Sequence, residues 1–243
     1  MRVVTLLPAA TEIVAALGAG DRLAGISHEC DHPEAVLGLP RVTATPLDAS
    51  LPSAAIDAAV RRLHEEGRPV IGIDAAQLRR LAPDLVVTQG LCEVCAVADG
   101  EAHRLSGTLA SPPRVLSLGA RTIGGIFEDI GALGRELGRE EAAAELVARL
   151  SARLERLRGE PPVHRPRVVC IEWLEPLYLA GHWVPELVEI AGGTDVGAEP
   201  GGHSARREWP ELVALEPDVV VIMLCGFGPA RAELELEIGR AHV

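Results

Sequence analysis

The chain contains one segment twice. Residues 78–90 read LRRLAPDLVVTQG and residues 212–226 read LVALEPDVVVIMLCG. Both give L-x-x-L-x-P-D followed by a β-branched run, which predicts a short helix, a turn made by Pro-Asp and a buried parallel strand. The openings match as well. Residues 2–27 (RVVTLLPAATEIVAALGAGDRLAGIS) and 167–196 (RVVCIEWLEPLYLAGHWVPELVEIAGGTDV) each run strand, proline-containing loop, amphipathic helix and glycine turn. Two α/β lobes of similar plan account for this most simply, and two lobes imply a cleft. The other account is one parallel α/β domain, whose strand-turn-helix units also resemble one another.

Between the copies runs GREEAAAELVARLSARLERLRGE, residues 138–160. Its Ala143, Val147, Leu150, Leu154 and Leu157 recur at alternating spacings of four and three, one apolar stripe on a long helix. Gly138 precedes it, and Gly159, Pro161 and Pro162 follow, so both ends are punctuated. At about 1.5 Å per residue the helix spans roughly 30 Å, enough to join two lobes. The same stripe also suits a surface helix of a single domain. The reading adopted is α/β with two Rossmann-like lobes: residues 1–121, a connecting region 122–160 with the backbone helix, and residues 161–236. The second copy stops early, so its lobe is expected to be incomplete at the C-terminus. Residues 237–243, EIGRAHV, match what a common sequencing-adapter sequence encodes and are read as a non-native tail.

Along the first copy, Thr11 is expected to cap a helix running to Leu17. Pro8 and Gln89 follow or end strands, and the polar loop His28-Glu29-Cys30-Asp31-His32-Pro33 leaves another. In open parallel sheets that carboxyl edge is where ligands bind. The loop of residues 90–95, with Cys92 and Cys95, leaves the same edge. Soft thiolates two residues apart, with His28 from a neighbouring loop, have the chemistry of a zinc site, with Cys92, Cys95 and His28 as ligands. A redox pair or a loop with packed cysteines fits the same spacing.

The chain is poor in aromatic residues, yet Trp173, Tyr178, Trp183, Trp209 and Phe227 all fall in its second half. Flat side chains at a cleft offer contact area at little entropic cost, and the alternative is that they fill the core. His203, in a Gly-Gly-His-Ser loop, is either a ligand contact or solvated.

At 243 residues and 48% hydrophobic, the chain is long and apolar enough for two modest cores. A formal net charge of −12 argues against nucleic acid as a partner. Five cysteines form no disulfide framework. The first strand begins at Val3, which leaves no room for a signal peptide; as written the chain reads as cytoplasmic, or periplasmic if its start codon is misassigned. No P-loop, dinucleotide fingerprint, G-x-S-x-G or H-E-x-x-H is present, so enzymatic activity is not expected.

In their order, TLLPAATEIVAALG, GISHECDHP, L-x-x-L-x-PDLVVTQ, the long helix and PDVVVI resemble the helical-backbone (class III) substrate-binding proteins of ABC importers. The vitamin B12 (corrinoid) binders match best, with haem and siderophore binders as relatives. The resemblance covers residues 2–228. It implies two lobes on one rigid helix, no catalysis, and cobalamin or a related corrinoid held edge-in between facing loops; the chain is expected to be a monomer. The residues it points to are Pro8, His28, Glu29, His32, Gln89, Cys92, Trp173, Tyr178, Trp183 and His203. Family members dock on a permease through one acidic residue before each L-x-x-L-x-P-D; those positions are Ala76 and Pro210 here, with Glu208 and Glu211 beside the second, so a permease partner is doubtful. The alternative function is a cytoplasmic zinc or redox protein on the same fold, using Cys92 and Cys95.

Overall fold

The computed structural model describes residues 1–91, 97, 99–159 and 164–240, with side chains through 236. The chain forms two compact units. The first comprises Met1–Leu47, Val60–Ala120 and Gly125–Arg149; the second comprises Asp48–Ala59, Arg121–Gly124 and Leu150–Val243. Among the described residues no helix is long and apolar enough to cross a membrane.

In chain order the elements begin with β1 (Val3–Thr5), α1 (Pro8–Ala16), β2 (Leu23–Gly25), β3 (Thr43–Ala44), α2 (Ser53–Glu65), β4 (Gly72–Ile73) and α3 (Ala75–Leu81). Then follow β5 (Leu85–Gln89), α4 (Asp99–Ser106), β6 (Arg114–Leu118), α5 (Ile123–Leu137) and α6 (Glu140–Arg158). The main sheet of the first unit has the order β2-β1-β5-β6 and is parallel throughout. Every residue of β5 is buried, as a central strand covered on both faces requires. Val4, Leu6, Val42, Leu63, Val70, Leu78 and Val86 form the core beneath it.

Thr11 does not cap α1. Pro8 occupies the first helical turn, its fixed φ suited to that position, so the helix begins before Thr11 can act as its boundary. Thr11 is instead fully buried, its hydroxyl 2.6 Å from that of Thr5 and 3.1 Å from Cys30 Sγ. The long helix spans Glu140–Arg158 as its periodicity predicts, but its stripe is covered unevenly. Ala143 is buried, Val147, Leu150 and Leu154 are half-buried, and Leu157 is 60% exposed. At its start α6 packs closely on α5: a Cβ on Gly134 would lie 2.5 Å from Cβ of Ala143, so only glycine permits the approach.

The rest of the chain gives β7 (Arg167–Trp173), β8 (Tyr178–Leu179), α7 (Val184–Ile190), β9 (Thr194–Asp195), β10 (Ala205–Arg206), α8 (Trp209–Ala214), β11 (Val219–Ile222) and α9 (Pro229–Arg240). The sheet of the second unit has the order β10-β8-β7-β11, with β9 also paired to β7. Its core holds Val169, Ile171, Leu177, Leu179, Leu212 and Leu224.

The repeated segment builds the same device in each unit. Ala82 and Glu216, one residue before each Pro-Asp, both take the left-handed conformation, with φ of 42° and 44°. The aspartate that follows turns back on the first strand: Asp84 accepts a hydrogen bond from the backbone N–H of Arg2 at 2.6 Å, and Asp218 from that of Arg167 at 2.8 Å. The preceding helices are capped at matching positions too. Asp74 accepts from the N–H of Gln77, and Glu208 and Glu211 form a reciprocal capping box.

The copies differ in what covers the strand. The repeated run by itself predicts a buried strand in both units, but β11 lies at the sheet edge, with Val219, Val220 and Val221 at 43%, 44% and 39% exposure. In the first unit β6 flanks the equivalent β5; among the described residues of the second unit nothing pairs with the outer side of β11. The segment after β11, where no element was expected, is the helix α9. It is anchored by Glu235, only 3% exposed, which accepts the N–H of Ser53 at 3.1 Å and pairs with Arg231. Arg231 in turn lies 4.7 Å above the ring of Phe227. Residues 237–240 of the expected tail continue this helix as backbone.

Candidate functional site

Parallel strands end at one sheet edge, so the loops after β1, β2 and β5 share the carboxyl edge of the first unit. That edge carries Pro8, half-buried at the start of α1, and Gln89, whose side-chain oxygen accepts the N–H of Leu91 at 2.6 Å. It also carries the His28 loop. His28 Nδ1 lies 2.7 Å from the Thr43 hydroxyl, and Nε2 lies 3.1 Å from a carboxylate oxygen of Glu29. His32 is exposed, while Cys30 points inward to Thr11 and its thiol is pushed up by burial. The site thus offers one held imidazole, one free one and a carboxylate.

Cys92 and Cys95 lie outside the described residues. Among the described residues no group of three or more His, Cys, Asp or Glu side chains could hold a metal ion. Cys30 and Cys170 are buried and Cys225 is exposed. Burial of Cys170, reinforced by the nearby charge of Asp195, pushes its thiol up to about 11, so it remains protonated at neutral pH.

Apart from Trp209, which is 50% exposed at the start of α8, the aromatic residues of the second unit divide into two groups. Trp173 ends β7 and pairs across the ladder with Tyr178, the first residue of β8. The Trp173 ring lies 5.3 Å from that of Phe227 at a tilt of 45°, and its indole N–H donates to the Glu175 carbonyl at 3.1 Å. Trp173 and Tyr178 are both half-buried, so each keeps an open face. This group sits where β7 and β11 end.

The second group is built by two loops that hold one another. The N–H of His182 donates to the Gly202 carbonyl at 2.6 Å, and the N–H of Gly201 donates to the His182 carbonyl at 2.8 Å. A Cβ on Gly181 would come within 2.6 to 2.7 Å of the backbone of residues 202–204, so the loops close only because that residue is glycine. His182 itself takes the left-handed conformation, with φ of 57°. Its ring lies 5.8 Å from that of His203 and 6.0 Å from that of Trp183. Burial, then His203 and the Arg121 guanidinium, lower its basicity, so His182 is held as neutral imidazole. The structure therefore brings Trp183 and His203 together and adds His182 and Arg121, which sequence reasoning missed. The only signal for His182 was its place beside Trp183, and nothing marked Arg121, some sixty positions upstream.

A family model described as periplasmic binding protein matches residues 3–235 of the chain. Solved structures with the same fold include the periplasmic vitamin B12 binding protein of Vibrio cholerae, at 21% identity and a TM-score of 0.66, covering 91% of this chain and 75% of that one. The periplasmic haem binding protein of the same organism matches at 18% identity and a TM-score of 0.67, covering 91% and 76%. A periplasmic haem binding protein from Pseudomonas aeruginosa matches at 21% identity and a TM-score of 0.69, covering 97% and 76%. No curated protein matches the chain.

Proposed function

Since this chain belongs to the periplasmic binding protein family, whose members bind small molecules for an ABC permease rather than transform them, we propose that its ligand is cobalamin or a related corrinoid. The observation that carries this is the grouping of Trp173, Tyr178 and Phe227 at the carboxyl ends of β7 and β11 in a chain with only 2% aromatic residues. A corrin presents a broad apolar face, and stacked flat side chains cover such a face with few rotamers to freeze. The likeness to a vitamin B12 binding protein supports the same choice over a small hydrophilic solute. Pro8, His28, Glu29, His32 and Gln89 line the carboxyl edge of the first unit's sheet, where Pro8 offers apolar contact and the polar groups of the other four suit the amides that rim a corrin.

Calorimetric and spectral titration with cobalamin, cobinamide and haem tests the reading. Trp173→Ala is expected to weaken cobalamin binding by about 1–3 kcal/mol, the scale of one buried aromatic contact. Circular dichroism on the variant checks that the Phe227 contact was not needed for folding. No heat and no spectral change with any of the three ligands would overturn the proposal.

A further inference from the structure

The loops that close on His182 gather more than an aromatic face. Arg121, exposed and in no ion pair among the described residues, precedes Thr122, whose Cγ2 would lie 3.3 Å from a Cβ on Gly201, so its segment adjoins the loop that holds His182 and, beside it, a second imidazole. His182 Nε2 is buried with no hydrogen-bond partner. An unpaired buried nitrogen and a left-handed non-glycine backbone both have a stability cost, and the interlocked loops impose both at one residue. A metal cation does not suit the place. Only two imidazoles converge, no third ligand joins them among the described residues, and a guanidinium opposes the charge. An oxyanion suits it well, because guanidinium and imidazole N–H groups together supply charge-assisted donors to phosphate or carboxylate oxygens.

We infer that Arg121, His182 and His203 form an oxyanion-binding corner on the second unit. An oxyanion placed there supplies a negative charge against the burial and the positive neighbours that together lower the basicity of His182, and the imidazole gains a proton and a partner for Nε2 together. The corner stands on its own geometry. Only the source of the oxyanion rests on the corrinoid reading, under which it is the phosphodiester of the cobalamin nucleotide loop, a group cobinamide lacks.

Imidazole NMR at neutral pH, with inorganic phosphate as the probe, tests the corner directly. Saturable shifts at His182 and His203, with proton uptake at His182 and none at the exposed His64, are expected. Arg121→Gln should weaken phosphate binding about tenfold, the scale of one charge-assisted contact. In a second arm, Arg121→Gln should weaken cobalamin binding and leave cobinamide binding unchanged. Absence of saturable phosphate shifts at both histidines overturns the corner even if cobalamin binds. Phosphate binding without any corrinoid binding sustains the corner and overturns the ligand proposed above.

Discussion

Gly181 is the residue on which the His182 loops depend. Three backbone atoms of residues 202–204 lie within 2.7 Å of where its Cβ would stand, and backbone cannot rotate away as a side chain can. Gly181→Ala should therefore destabilise the protein by about 1–3 kcal/mol, as overpacking does. Gly38→Ala, where a Cβ meets nothing within 4 Å, should leave stability nearly unchanged. Thermal unfolding of the two variants side by side checks the contrast. Cys170 contributes one pH dependence, at the alkaline end. Its thiol is raised from 9.0 to about 11, so between those values the folded chain keeps a proton that the unfolded chain releases. Its stabilising contribution is then complete below about pH 9 and lost as pH rises through the folded value. Denaturant unfolding across that window should show a decline that Cys170→Ala flattens; an unchanged slope in the variant would place the titrating group elsewhere.

At the scale of elements, β5 and β11 come from nearly the same words in the sequence and end in different surroundings. Both follow a capped helix and a Pro-Asp turn whose aspartate holds the first strand's N–H. Yet β5 has neighbours on both sides, whereas among the described residues β11 pairs with β7 alone and exposes three valines in a row. An unprotected apolar edge exchanges its amides readily and recruits other strands. Hydrogen exchange should thus be faster in residues 219–222 than in residues 85–89, and association should rise with concentration. Equal protection of the two strands would contradict this. A run of β-branched residues announces a strand, but it carries no information on whether a neighbour pairs with its far side. For the same reason α6 was legible in position and length, while the exposure of Leu157 at its end was not.

For the whole molecule, ligand binding and stability are one equilibrium. If cobalamin binds only the folded chain, free ligand at about 100 times Kd should raise the unfolding free energy by about 2.7 kcal/mol. Denaturant midpoints with and without cobalamin measure this, and cobalamin-independent midpoints would count against the proposed ligand. The α/β class, the parallel repeat, the long helix, the family and the aromatic-rich second half were all determined by the sequence alone. Each is written in local periodicity, turn chemistry and motif order, which need no partner to be read. Only the tertiary structure decided that Thr11 faces Thr5 and Cys30 rather than capping a helix, that Glu235 anchors α9 to Ser53, and that the segment of Arg121 and Thr122 meets the loop holding His182. Those outcomes are contacts between residues distant in the chain. Such contacts depend on which surfaces meet, and a one-dimensional pattern states only which surfaces are apolar.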